Sequence, residues 1–147
     1  VRTGAGEEAL GSGDQVEVTV PARGQYVGVV RLAAAAVAAR GGFTYDEVED
    51  LKIAVGEACT ALLGPGDGAG TLVARFRLQR ESLEVRLAAQ APRVDLGPAP
   101  PSREDIPRLD EGRLGLFLMR CLVDEVSSDH DEVSGTTELR LVKRRQG

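Results

Sequence analysis

The chain has 147 residues, 42% of them hydrophobic and 28% charged, with a formal net charge of −5. Those values fit one globular domain able to bury an ordinary core. They argue against a membrane span, since no apolar run is long enough, and against a nucleic-acid surface, since 18 Lys and Arg are interleaved with 23 Asp and Glu rather than clustered.

Residues 1–13 are rich in Gly, Ala and Glu without periodicity and are expected to form a tail, with a single domain over 14–147. The chain does not open on a basic-then-apolar leader, so the expectation is a cytoplasmic protein. Gln15 to Val20 alternates apolar and polar residues as a half-buried edge strand does, and Pro21 ends it. Gly24 to Arg40 is an alanine-rich helix expected to gather Tyr26, Val30, Ala33 and Val37 on one face, with Gly41-Gly42 as its stop. Thr44 to Leu63 is a strongly amphipathic helix, with Val48, Leu51, Val55, Ala58, Cys59 and Leu62 on one face. Thr44 and Glu47 have capping-box spacing at its start, and Gly64-Pro65-Gly66 ends it.

The glycines from Gly64 to Gly70 read as a connection and not a phosphate loop, because G-K-[ST] is absent and no helix follows. Thr71 to Gln79 and Leu83 to Ala89 alternate as two strands of a hairpin turning near Arg80 to Ser82, in the middle of a sheet. Gln90 to Asp110 carries Pro92, Pro98, Pro100, Pro101 and Pro107, a long irregular insert of the kind that forms lids. Gly112 to Val126 reads as a helix whose buried face is expected to hold Leu114, Phe117, Leu118, Cys121 and Leu122. Two strands close the chain, with His130 between Asp129 and Asp131 expected in a solvated hairpin tip. Cys59 and Cys121 fall in apolar helical patterns and are expected to be reduced core thiols; nothing in their spacing suggests zinc.

Three stretches carry a family resemblance. Glu57 to Ala61, E-A-C-T-A, resembles the E-x-x-x-N box of the histidine-kinase-like ATPases, and among them the anti-sigma-factor serine kinases, whose helix commonly carries S-E-A-x-T-N. Gly112 to Val126 is similar to that family's second glycine box and following helix, and Gly135 to Lys143 resembles its closing G-T-T-x-x-x-L-x-K strand. The resemblance implies an α+β two-layer sandwich, the Bergerat fold, with a mixed and mostly antiparallel sheet and helices on one face. It also implies that Glu57 is the family's general base and that Gly112, Gly115 and Thr136 belong to its ATP boxes. The magnesium-ligand asparagine falls on Ala61, which has no oxygen for a hard cation. The D-x-G-x-G box falls on Ala89-Gln90-Ala91-Pro92-Arg93, so the adenine-reading aspartate and both glycines are absent. No metal ligand is assigned, and ATP with magnesium is expected to bind weakly or not at all.

In the family such a protein sequesters an RNA polymerase sigma factor until a STAS-type antagonist competes for the same surface. An arginine on the first helix serves both partners, and it falls on Arg31 here. Homodimers through the edge near the first strand are implied as well. The expectation is therefore an anti-sigma factor with an eroded nucleotide site. An active serine kinase using Glu57 as base, or a sensor or scaffold module of the same fold, are the alternatives.

Overall fold

A computed structural model describes residues 13–65, 70–97 and 110–146. The elements in order are β1 (Gln15–Pro21), a 3-10 turn (Gly24–Tyr26), α1 (Val27–Arg40), α2 (Tyr45–Leu63), β2 (Thr71–Leu78), β3 (Ser82–Gln90), α3 (Glu111–Leu122), β4 (Glu125–Asp131) and β5 (Thr136–Arg144). The strands form one sheet in the order β1-β2-β3-β5-β4. Every pairing among them is antiparallel, so the sheet expected to be mixed has no parallel pair among the described residues. The β2–β3 hairpin does lie inside the sheet, with β3 as its central strand.

The two faces of the sheet follow the period-2 alternation of its strands. Leu72, Ala74 and Phe76 of β2, Leu83, Val85 and Leu87 of β3, and Leu139 and Leu141 of β5 are buried beneath the helices. The opposite face is polar and laced with ion pairs. Arg75 Nε donates to Glu17 Oε2 at 2.8 Å, Arg140 Nε to Glu84 Oε2 at 2.5 Å, and Arg86 Nη1 to Glu138 Oε1 at 2.9 Å. Glu125 receives Arg140 and Arg144. Glu84 is 6% exposed. Burial alone would push its carboxyl up, but the hydrogen bonds from Arg140 and Arg86 outweigh that and hold it below the usual carboxylate range.

Helix α2 is the middle of the helical layer and packs against α1 on one side and α3 on the other. Its capping box is formed: Thr44 Oγ1 accepts from Glu47 N at 3.1 Å, and Thr44 N donates to Glu47 Oε1 at 2.7 Å. The second carboxylate oxygen of Glu47 receives Gln146 N at 2.7 Å, so the cap also ties down the end of β5. Burial pushes the Glu47 carboxyl up, and the Thr44 and Gln146 donors bring it below its ordinary range. Lys143 adds a second tie, donating to Leu122 O at 2.7 Å and lying 3.7 Å from Asp50 Oδ2.

Four expectations are corrected by packing. Helix α1 buries Val30, Ala34, Val37 and Ala38, with Tyr26 and Ala33 only half-buried, because it touches both β1–β2 and α2 and so covers two adjoining faces. Helix α3 buries Gly115 and Met119, while Leu114, Leu118 and Cys121 are exposed. Its contacts are with α2, which selects a face about one residue round from the one its leucines suggest. Cys121 is thus no core thiol, whereas Cys59 is fully buried and burial pushes its thiol up to about 12. His130 lies within β4, opposite Thr137, and the turn comes later, at residues 132–135. No helix among the described residues is long and apolar enough to cross a membrane.

Candidate functional site

A cavity of about 720 Å³ opens between the last turns of α2, the irregular segment 93–95 and the first turns of α3. Glu57, Ala61, Arg93, Asp110, Gly112 and Gly115 are among its walls. The start of α3 is fixed by Asp110, whose side chain caps the helix by accepting Arg113 N at 2.8 Å. Glycine at 115 allows α3 to close on α2, since a Cβ there would stand 2.3 Å from Glu57 Oε1. Gly112 faces no such demand, as its Cβ would meet only Asp110 Oδ1 at 3.7 Å. Glu57 is half-buried and its carboxylate receives no hydrogen bond among the described residues.

Glu57, Gly112, Gly115 and the half-buried Ala61 are therefore brought together, one turn of α2 separating Glu57 from Ala61. Thr136 is not one of the cavity's walls; its hydroxyl accepts from Gln90 Nε2 at 3.3 Å. The residue that sequence reasoning passed over is Thr137. It is fully buried, and its Oγ1 lies 2.8 Å from Ala91 O and 3.0 Å from Pro92 O. Since the one hydroxyl proton points to carbonyls, Thr137 Oγ1 accepts from His130 Nδ1 at 2.7 Å, which places the imidazole proton on Nδ1. Strand parity was the available signal, because residues 137, 139 and 141 share the inward face.

Arg31 projects on the other side of α2. It is exposed, it has no carboxylate partner among the described residues, and it borders a second cavity of about 510 Å³ with Gln25, Gly28, Thr60 and Leu63. Thr60 and Gly64 line both cavities, so the last turn of α2 is the wall between them.

Residues 20–143 match the histidine kinase-like ATPase domain family. The chain belongs to that family. It is 45% identical over 123 residues to the serine-protein kinase RsbW of Bacillus subtilis (strain 168), spanning 77% of this chain and 76% of that one. It is 41% identical over 126 residues to RsbW of Halalkalibacterium halodurans, spanning 80% and 77%. Among solved structures, the RsbU and RsbW domains of Rv1364c from Mycobacterium tuberculosis share the fold at a TM-score of 0.62 and 17% identity, over 90% of this chain and 32% of that one.

The fold is thus an ATP-binding one, and the residues present can be set against magnesium ATP. Ala61 supplies a methyl at the position to which the family resemblance assigns the metal ligand. Ala89, on which the family resemblance places the adenine acceptor, is 4% exposed and packs in the core. The Thr137 hydroxyl beside it is already satisfied by the main chain of Ala91 and Pro92. Arg93 lines the cavity with its guanidinium 3.3 Å from Glu132. These residues offer neither the side-chain oxygen for the metal nor the carboxylate for the base, so they do not fit the nucleotide in the family's manner.

Proposed function

We propose that the protein is an anti-sigma factor that holds an RNA polymerase sigma factor by occupying its surface, and that a STAS-domain antagonist releases it by competing for the same face. The observation that carries this reading is the outer side of α1. A helix that is apolar all round is normally buried all round, yet Val29 and Leu32 stand 46% and 66% exposed beside Arg31, which has no carboxylate partner among the described residues. Such a surface is built for a protein partner. Likeness to the RsbW kinases supports the partner class.

In this reading the cytoplasmic protein binds ATP weakly, magnesium adds little, and Glu57 is a remnant of a base with no phosphoryl group to act beside. A homodimer through the edge strand β1, where Val16 is 38% exposed, is part of the proposal. The experiment mixes the purified protein with each sigma factor of its source organism and with that organism's STAS proteins, with labelled ATP present. The expected outcome is a sigma factor complex displaced by one STAS protein, without phosphoserine. A phosphoserine that Glu57→Gln abolishes would establish the kinase reading instead; a protein that binds neither partner would establish the scaffold reading.

A further inference from the structure

We infer that Gly56 is a positioning residue for the docking face: its bare backbone lets the Arg31 stem lie across α2, which holds the guanidinium at the α1–α2 crevice as a preformed seat for a carboxylate on an acidic, apolar segment of the partner. This rests on the proposed docking role of the α1 face. The geometry begins with the course of Arg31. A Cβ added at Gly56 would stand 3.2 Å from Arg31 Cδ and 3.5 Å from its Nε, so the arginine stem lies directly over the bare backbone of α2. A Cβ at 56 would press the stem aside by a few tenths of an ångström, and a longer side chain would compete with it for that space.

Laid in that position, the guanidinium borders the 510 Å³ cavity instead of ranging through solvent. Gly28, on the opposite wall, has nothing within 4 Å of where a Cβ would be, which leaves that wall open to an incoming chain. Exposed apolar side chains stand on the same two helices: Val29 and Leu32 on α1, and Ile53, 42% exposed, one turn before Gly56 on α2. An arginine fork with its stem already held loses less rotamer freedom when it pairs with a carboxylate.

Charge selects the occupant. From Ala22 to Thr44 the only ionisable acid-base side chains of full charge are Arg23, Arg31 and Arg40, with no Asp or Glu, in a chain whose net charge is −5. The α1 face is therefore a local positive surface on an acidic protein. It fits a partner segment that alternates acidic and apolar residues, and disfavours a basic one.

The test is a double-mutant cycle on the sigma factor bound in the experiment above, with Arg31→Ala, Gly56→Leu and the double variant measured by calorimetry. Arg31→Ala is expected to weaken binding about thirtyfold. Gly56→Leu is expected to weaken it about tenfold in the parent chain, and not at all once Arg31 is alanine. Gly56→Leu replaces glycine within a helix, so its Tm should not fall. A second readout needs no partner: the Nε–H signal of Arg31 in nitrogen-15 NMR should be ordered, unlike that of Arg40, and should become mobile in Gly56→Leu. Equal loss from Gly56→Leu in both backgrounds would overturn the seat, as would an Arg31 Nε–H as mobile as that of Arg40. An unchanged affinity in Arg31→Ala would instead overturn the docking face itself.

Discussion

Helix α2 has a cavity on each side, and the two differ in what they offer a ligand. Toward α1 stands an exposed arginine among apolar side chains, with no competing carboxylate among the described residues. Toward α3 stand Glu57 and Gly115 in close approach, with the methyl group of Ala61 on the same wall, at a position where the family resemblance implies an oxygen ligand. A docking face works with shape and one well-placed charge. A metal-nucleotide site needs several oxygens at once, and removing them leaves the scaffold standing because alanine packs as well in a core. The same helix can thus serve partner binding while its other side offers little to a nucleotide.

The sharpest way to break this contrast is to measure nucleotide. Each lost hydrogen-bonding partner is worth about 1–3 kcal/mol, so the two absent ligands together remove about 2–6 kcal/mol. Calorimetry should show no magnesium-dependent ATP binding at micromolar concentration. Ala61→Asn should raise affinity only when magnesium is present. Micromolar binding by the parent chain would erase the difference between the two sides.

On the α1 side, Arg31→Ala should cost about 2 kcal/mol of binding to sigma factor and antagonist alike, as a central interface arginine does. Arg40→Ala, at the far end of the same helix, should stay within about 0.5 kcal/mol. Equal affinities for the two variants would place the interface elsewhere.

Glu84 tests the sheet that supports both sides. Its arginine partners are a third or more exposed, so Glu84→Gln should cost only about 1–2 kcal/mol in denaturant unfolding, less than a fully buried pair. Because the folded carboxyl titrates below its ordinary value near 4.5, its contribution is present above that pH and is lost as the pH falls through the depressed value. The gap between parent and variant should therefore close on acidification. A gap that widens would contradict the assignment.

The smallest effect belongs to the closure of α3 on α2. Gly115→Ala should cost about 1 kcal/mol, since the carboxylate it meets is the end of a flexible chain that can swing aside. In a Glu57→Ala background the same change should be neutral or stabilising. Thermal melts of the four proteins decide it.

Much of this was legible along the chain. The capping box at Thr44 and Glu47, the stripe of α2, the β2–β3 hairpin and the edge character of β1 all rest on contacts within a few residues or on strict period-2 alternation, which local spacing specifies. That Ala61 and Glu57 share one side of α2 was readable because one helical turn separates them. The Gln90 to Asp110 insert read as a lid lies partly outside the described residues, which resume at Asp110.

What the chain did not show depended on neighbours far away in sequence. The apolar residues of α3 outnumber the places available, and only packing against α2 decided that Gly115 and Met119 go inside and Leu114, Leu118 and Cys121 outside. His130 read as a turn residue until β4 paired with β5 and set its ring against Thr137. Nothing in the spacing singled out Gly56, and its use is visible only once α1 lays Arg31 across it. By itself the sequence determined the elements and their order, because these are set by local spacing and residue chemistry. The tertiary structure alone decided which faces meet, because each meeting is a contest among several apolar surfaces that the shape of the neighbour settles.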